Sequence, residues 1–277
     1  VERVAQVLTL RESTEPSSGD DTWTCRRCGK ENRYTALSMP GRTARIQGRC
    51  ECEIREYEED RAEREHRQWL EHEVRPFFAA MNIGDDYAAC SVEGFEVRPG
   101  TEAAYEATCR YLAGWPDHGG KGLLYMGDPK NPRRCYGNGK THLAMAVVNA
   151  LIDRRVRAVP TTMPYLLHLL RSTYGHGREY SEDQLLNRLI GADLVLIDDL
   201  GAENLSSRNE SWVLDRLFLI VDARYRTRRP TLWTTNLGPK QVEERVGLRI
   251  WDRILERVEM VQVTATSYRR VRAGLEE

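Results

Sequence analysis

The chain has 277 residues, enough for one sizeable α/β core and a small appendage at roughly 100–200 residues per domain. Its 41 Lys and Arg balance 42 Asp and Glu, and 40% of its residues are hydrophobic. That composition fits a globular chain without overall basicity, so any grip on nucleic acid has to come from a local patch. Charged residues interrupt the apolar positions after Val1, and no run approaches the ~20 apolar residues of a membrane span. The expectation is a cytoplasmic protein with no membrane partner.

Residues 1–24 mix charged and small polar residues around Pro16-Ser17-Ser18-Gly19 and predict a flexible tail. Four of the seven cysteines follow as two tight pairs, Cys25/Cys28 and Cys50/Cys52. In a reducing compartment such pairs read as metal ligands and not as a disulfide framework. Four thiolates close a tetrahedral Zn²⁺ site and leave no position for water, so the site is structural. A module spanning 25–52 lacks a core of its own and draws most of its folding energy from the metal. Cys90, Cys109 and Cys135 read as ordinary thiols. Residues 53–80 are dense in Glu and Arg, with Arg55/Glu59, Arg61/Glu65 and Glu63/Arg67 at helical spacing, and predict a solvated helical linker.

From 81 to 277 short apolar runs alternate with amphipathic stretches, the pattern of a parallel sheet with crossover helices. The expected strands are Gly122–Met126, Val156–Val159, Asp193–Asp198, Thr231–Thr235 and Met260–Thr264. The expected helices run from Lys140 to about Arg154 and around Met163–Tyr174, Glu210–Arg226 and Arg249–Arg257. Between the first strand and the first helix lies Gly137-Asn138-Gly139-Lys140-Thr141, the context of a P-loop. Glycines let backbone N–H groups curl around phosphate, Lys140 carries a charge to the β and γ phosphates of ATP, and Thr141 offers a hydroxyl to Mg²⁺. The strict spacing would put a further glycine at Arg134. The glycine that follows the strand is Gly127, which predicts an insertion over Lys130–Tyr136.

Leu194-Val195-Leu196-Ile197 ends in Asp198 and Asp199, as a Walker B strand does. Its apolar residues predict a place beside the P-loop strand, with the acidic tip at the nucleotide. Asp198 is assigned to Mg²⁺ through water, and Asp199 to orienting and deprotonating the attacking water. Asp199 is one methylene shorter than a glutamate, which predicts slow hydrolysis. Thr231–Thr235 leads to Asn236, placed to align that water.

In this order of motifs the chain resembles the AAA+ class. Over roughly Met81 to Arg272 it is similar to the replicative-helicase loaders of the DnaC/DnaI type and to the IstB-type transposition helpers. Its most telling pieces are Gly139-Lys140-Thr141-His142-Leu143-Ala144, Ile197-Asp198-Asp199-Leu200-Gly201-Ala202-Glu203, Asp252-Arg253-Ile254 and Ser267-Tyr268-Arg269-Arg270. The resemblance implies an AAA+ P-loop core with a five-stranded parallel sheet and little or no lid domain, with ATP hydrolysed between subunits of an oligomer. It places Gly137, Asn138, His142 and Arg269 among the nucleotide contacts. Arg253 becomes an arginine finger, worth ~10³–10⁵ in rate, with Arg249 one turn away as its substitute and an ion pair to Glu256 as the alternative use. It further implies a replicative helicase as partner and single-stranded DNA along Met163–Tyr174, where Arg171 and Tyr174 offer a cation and a stacking ring. The zinc module then contacts the helicase, or nucleic acid through Arg26, Arg27, Lys30 and Arg33. Two rival readings share the core: a transposition helper working with a transposase on duplex DNA, and a nucleotide-switched adaptor that barely hydrolyses.

Overall fold

The computed structural model describes residues 22–39, 42–74, 76, 84–128, 130, 131, 134–173, 181–202 and 210–275. The chain divides into two compact units between Val74 and Arg75. Of the stretch expected to be a tail, Thr22–Thr24 forms a strand, and the rest lies outside the described residues.

In the first unit β1 (Thr22–Thr24) pairs antiparallel with β2 (Glu31–Arg33), and β3 (Thr35–Met39) pairs with β4 (Arg42–Ile46). The turn between β1 and β2 carries Cys25 and Cys28. It closes through Gly29, whose N–H donates to the Cys25 carbonyl at 2.9 Å and whose φ of 72° suits a residue without a side chain. Helix α1 (Glu51–Trp69) has no buried residue, and Arg61 meets Glu65 at 2.8 Å on its surface. It starts inside the second cysteine pair instead of after it. Cys50 is its N-cap and Cys52 sits in its first turn, where Glu51 and Glu53 complement the positive end of the helix. A π-helical turn, Leu70–Val74, follows.

The second unit contains α2 (Asp85–Ala88), α3 (Glu102–Ala113), β5 (Gly122–Met126), α4 (Lys140–Asp153), β6 (Ala158–Thr162), α5 (Met163–Ser172) and α6 (Glu182–Gly191). Then come β7 (Leu194–Asp198), α7 (Glu210–Arg226), β8 (Thr231–Thr235), α8 (Pro239–Val246), α9 (Leu248–Glu256), β9 (Val258–Gln262) and α10 (Tyr268–Arg272). The five strands are all parallel in the order β6-β7-β8-β5-β9. Strands β5, β7 and β8 are buried at every position, as strands covered on both faces must be. Edge position explains why β6 tolerates Pro160 and runs on to Thr162, past the expected end at Val159.

The order corrects one expectation: β8 lies between β5 and β7, so the acidic strand is not beside the P-loop strand. An unbroken apolar run marks a strand as central without naming its neighbours, and β7 and β8 are equally buried. Helices α3, α6 and α8 were not anticipated from periodicity. For α6 the signal was present, since Ser181 and Gln184 form a capping box, with the Gln184 N–H donating to Ser181 Oγ at 3.2 Å and the Ser181 N–H to Gln184 Oε1 at 2.9 Å. Past β9 the described residues add only α10, so they contain no lid domain. No helix among them is long and apolar enough to cross a membrane.

One arginine belongs to the core. Arg224 of α7 is 2% exposed. Its Nε donates to Thr231 Oγ1 at 2.9 Å, and its terminal nitrogens donate to the carbonyls of Leu189, Ala192 and Pro230 at 2.7, 2.8 and 2.5 Å. These bonds tie α7 to the end of α6 and the start of β8. Burial pulls its pKa down to about 9.

Candidate nucleotide site and cysteine cluster

The C-terminal ends of β5, β7 and β8 converge on a cavity of about 600 Å³, the place where open parallel sheets bind ligands. The segment Gly137–Thr141 forms one wall. Gly139 caps α4 with a φ of 102°, and a Cβ there would come within 2.7 Å of the Phe95 ring. Lys140 is 5% exposed and donates to the Cys135 carbonyl and, at 2.9 Å, to Asn138 Oδ1. Burial brings its pKa down to about 8. Asn138 is fully buried and donates through Nδ2 to the carbonyls of Arg134 (2.6 Å) and Val263 (2.9 Å). The loop is thereby fastened to the segment after β9. A backbone contact reinforces the link, because the N–H of Tyr268 donates to the Gly137 carbonyl at 2.8 Å.

Cys135, within the expected insertion, packs against the end of β5. Cys135 is buried, its Sγ lies 3.0 Å from the Asp128 carbonyl, and a Cβ on Gly127 would come within 2.8 Å of the Cys135 Cα.

The acidic tip of β7 completes the site. Asp198 is 4% exposed and accepts from Thr141 Oγ1 at 2.9 Å and from Thr234 Oγ1 at 2.6 Å. Burial, and then the charge of Asp199, push its pKa up to about 6. A buried carboxylate beside a threonine hydroxyl, facing the mouth of a phosphate loop, fits a hard cation such as Mg²⁺. The next residue, Asp199, has a φ of 56°, its N–H donates to Thr234 Oγ1 at 2.9 Å, and its Oδ1 lies 3.4 Å from Asn236 Nδ2. Sequence reasoning placed Thr234 on the strand without giving it a task. It sits between both aspartates because β8 is inserted next to β7.

His142 and Arg269 also line the cavity. The His142 ring contacts the Ser91 carbonyl at 2.9 Å and meets Phe95 edge-on. The sequence reading missed the segment around Tyr87 and Phe95, and also Arg98, whose guanidinium lies 4.8 Å from the centre of the Tyr268 ring. No periodic pattern marks that segment.

Arg253 lies elsewhere, on α9. Its Nε donates to Asp222 Oδ1 of α7 at 2.9 Å and its Nη1 to the Arg249 carbonyl at 2.8 Å, so its carboxylate partner is Asp222 and not Glu256. Glu256 instead accepts from the Tyr225 hydroxyl at 2.7 Å. Arg249 is exposed, with its guanidinium 3.8 Å from the centre of the Phe218 ring. Arg171 is exposed, 5.5 Å from the centre of the Trp212 ring, and Tyr174 lies outside the described residues.

In the first unit Cys25, Cys28, Cys50 and Cys52 place their sulfurs within 4.8 Å of one another, and the Cys25–Cys52 and Cys28–Cys50 separations are both 3.6 Å. Tetrahedral thiolates about 2.3 Å from Zn²⁺ would stand roughly 3.8 Å apart, so the cluster fits that ion. Arg27 with Glu56, and Lys30 with Glu51, pair the first knuckle with α1.

The five-stranded parallel sheet, the P-loop and the paired aspartates define a P-loop NTPase core of the AAA+ kind. The family described as IstB-like ATP binding protein matches residues 134–274, just over half of the chain, and the chain belongs to that family. It is 30% identical over 166 residues to the replicative helicase loader DnaC of Escherichia coli K12, covering 60% of this chain and 62% of the loader, and 28% identical over 173 residues to DnaC of Buchnera aphidicola. The chain thus spans 62% and 65% of the length of these relatives. Among solved structures, the DnaC helicase loader superposes with a TM-score of 0.55 at 22% identity, covering 65% of this chain and all of that one. DnaI superposes with a TM-score of 0.54 at 23% identity, covering 66% of this chain and 96% of that one. At these identities the superpositions speak for the fold.

Proposed function

We propose that this chain is an ATPase that forms an AAA+ oligomer in the cytoplasm, binds a replicative DNA helicase and helps place it on single-stranded DNA. The observation that carries the ATPase reading is Asp198, held by Thr141 of the phosphate loop and Thr234 of β8, next to Asp199 in the cavity wall. The loader reading rests on the relatives named replicative helicase loaders.

Lys140 exchanges its contacts with Cys135 and Asn138 for the β and γ phosphates, while the backbone of 137–139 cradles them. Thr141 and, through water, Asp198 would hold Mg²⁺, which would supply positive charge beside the phosphates. Asp199 accepts a proton from the attacking water, and Asn236 beside it fixes the direction of approach. Arg269 reaches the nucleotide from the cavity wall. Arg253 serves the site of a neighbouring subunit, and Asp222 holds it in the meantime. Zn²⁺ on Cys25, Cys28, Cys50 and Cys52 shapes the first unit, and Arg171 with Tyr174 contacts single-stranded DNA.

The test is ATP turnover by the purified protein, alone and with single-stranded DNA and a cognate helicase, beside Lys140→Ala. Turnover that depends on Lys140 and rises with helicase or DNA supports the loader. Tight Lys140-dependent binding with negligible turnover in every mixture supports the nucleotide-switched adaptor. The match to the IstB-like family favours a second reading, a transposition helper. Stimulation by duplex DNA and a transposase, with none by helicase, would establish it.

A further inference from the structure

Asn138 stands at a position of the phosphate loop where the glycine, lysine and threonine pattern asks for no particular side chain, yet it is completely buried. A buried carboxamide has two donor hydrogens and an acceptor oxygen to satisfy, and here all of them are engaged. Nδ2 donates to the carbonyls of Arg134 at 2.6 Å and Val263 at 2.9 Å, and Oδ1 accepts from Lys140 Nζ at 2.9 Å. The two carbonyls fix which way the amide points. Turned over, it would set Oδ1 against both carbonyl oxygens and aim a donor at an ammonium. The oxygen therefore has to face Lys140.

The ordinary account of Asn138 is a fastener for the loop, and its nitrogen fits that account. The Arg134 contact spans the loop from the place where the strict pattern has a glycine, and the Val263 contact ties it to the segment after β9. Oδ1 adds nothing to the fastening, because its partner is two residues further along the same loop. What it does is support a charge. Lys140 is 5% exposed, and the acceptors found for it among the described residues are the Cys135 carbonyl and Asn138 Oδ1. The titratable groups that act on it are Cys135 of the loop and Asp199 and Asp198 at the end of β7. Burial favours the neutral amine, and each acceptor bonded to the charged form opposes that.

We propose that Asn138 is a positioning residue for nucleotide binding, whose side-chain oxygen keeps Lys140 charged and aimed in the empty site and yields it to the phosphates when they arrive. The proposal rests on the reading of Lys140 as the phosphate lysine. A neutral amide suits the task. Its bond to the ammonium is weaker than the charge-assisted bond that a phosphate offers, so the triphosphate displaces it, whereas a carboxylate at the same place would hold the lysine back. The role belongs to the side chain and leaves the cradling of phosphate to the backbone of 137–139.

The experiment measures affinity for Mg²⁺–ATP from acid to alkaline pH, by fluorescent-nucleotide titration, for the full chain, Asn138→Leu, Asn138→Asp and Lys140→Ala. Both substitutions at 138 remove the Nδ2 donors, so loss of fastening would move them alike, and a difference between them isolates Oδ1. In Asn138→Leu the alkaline limb should move to lower pH by about one unit, which costs up to about tenfold in affinity on the alkaline side and little on the acidic side. In Asn138→Asp the limb should move to higher pH, while affinity at neutral pH falls because the carboxylate retains the lysine. A measurement on the unaltered chain decides the matter even where a variant does not fold. The side-chain amide signals of Asn138 in the ¹⁵N-labelled protein should show a step as Lys140 titrates in the empty site, and should lose it when a non-hydrolysable ATP analogue is bound. Limbs that stay in place or move the same way in both variants would overturn the proposal, and so would amide signals without a step. Wild-type affinity in Lys140→Ala would bring down the phosphate-lysine reading and this proposal with it, whereas Lys140-dependent binding with unmoved limbs would bring down this proposal alone.

Discussion

Among the residues of 22–74 whose side chains are described, the buried ones are Cys25, Ile46 and Cys50, whereas the sheet domain encloses a cluster running from Leu124 through Ile197 and Trp233 to Ile254. The two units therefore depend on different physics. The sheet domain removes apolar surface from water along three fully buried strands, at roughly 25 cal/mol per Å². The first unit has two short hairpins, a helix with nothing buried and four converging sulfurs. Its described side chains bury little apolar surface, and we propose that its order comes from a metal held by the four sulfurs.

The sharpest way to break this comparison is to remove the proposed metal. Zinc in comparable small modules contributes an apparent ~10–16 kcal/mol. Chelation, or Cys50→Ser, should therefore abolish amide-exchange protection across 22–74 and leave the unfolding midpoint of the sheet domain in place. Protection that survives chelation would mean that the module is held by something other than metal.

The next largest effect belongs to the sheet domain. Arg224→Leu strands three carbonyls and a threonine hydroxyl inside the core. It should cost about 3–5 kcal/mol in urea unfolding, with no change in the zinc content of the first unit. A cost below about 1 kcal/mol would show that water replaces the guanidinium.

A smaller loss is expected from Thr234→Val, which removes the donor to Asp198 and the acceptor for the Asp199 N–H. About 2 kcal/mol of positioning corresponds to roughly a thirtyfold fall in kcat, measured by steady-state ATP turnover, with binding of ATP less affected. An equal loss in Thr234→Ser would point to packing, since serine keeps the hydroxyl.

The mildest prediction concerns pH. Affinity for Mg²⁺–ATP should weaken below about pH 6, where protonation of Asp198 competes with the cation, and above about pH 8, where Lys140 loses its charge. Each limb is at most tenfold per pH unit, measured by fluorescent-nucleotide titration. Asp198→Asn should remove the acidic limb. The sign for folding of the nucleotide-free chain differs. The folded pKa of Asp198 is raised above its ordinary 3.8, so its contribution to stability is present at low pH and is lost as pH rises through about 6.

Much of the sheet domain was legible in the chain because its signals are local. The runs Gly122–Met126 and Thr231–Thr235 are strands within the expected bounds, and α4 begins at Lys140 directly after the glycines. The run Val156–Val159 predicts a strand that the structure places at Ala158–Thr162, starting two residues later and running through Pro160, which its edge position allows. The helix α1 was read as starting after Cys52, although the acidic residues Glu51 and Glu53 mark its first turn. At the site, the glycines, Lys140, Thr141 and the two aspartates announce their chemistry by type and spacing. Thr234 and the wall around Phe95 do not, because their parts depend on which strand and which loop fold against them.

The amino-acid sequence by itself determined the alternation of strands and helices, the phosphate loop, the acidic strand end and the four-cysteine set, since each is written in neighbouring residues. Only the tertiary structure decided that β8 separates the two nucleotide strands, that Arg253 pairs with Asp222, that Arg224 is a core residue, and that the Asn138 carboxamide meets Val263. Strand order and side-chain partnership are set by packing between segments far apart in the chain, and hydrophobic periodicity carries no record of which distant segment a strand or helix meets.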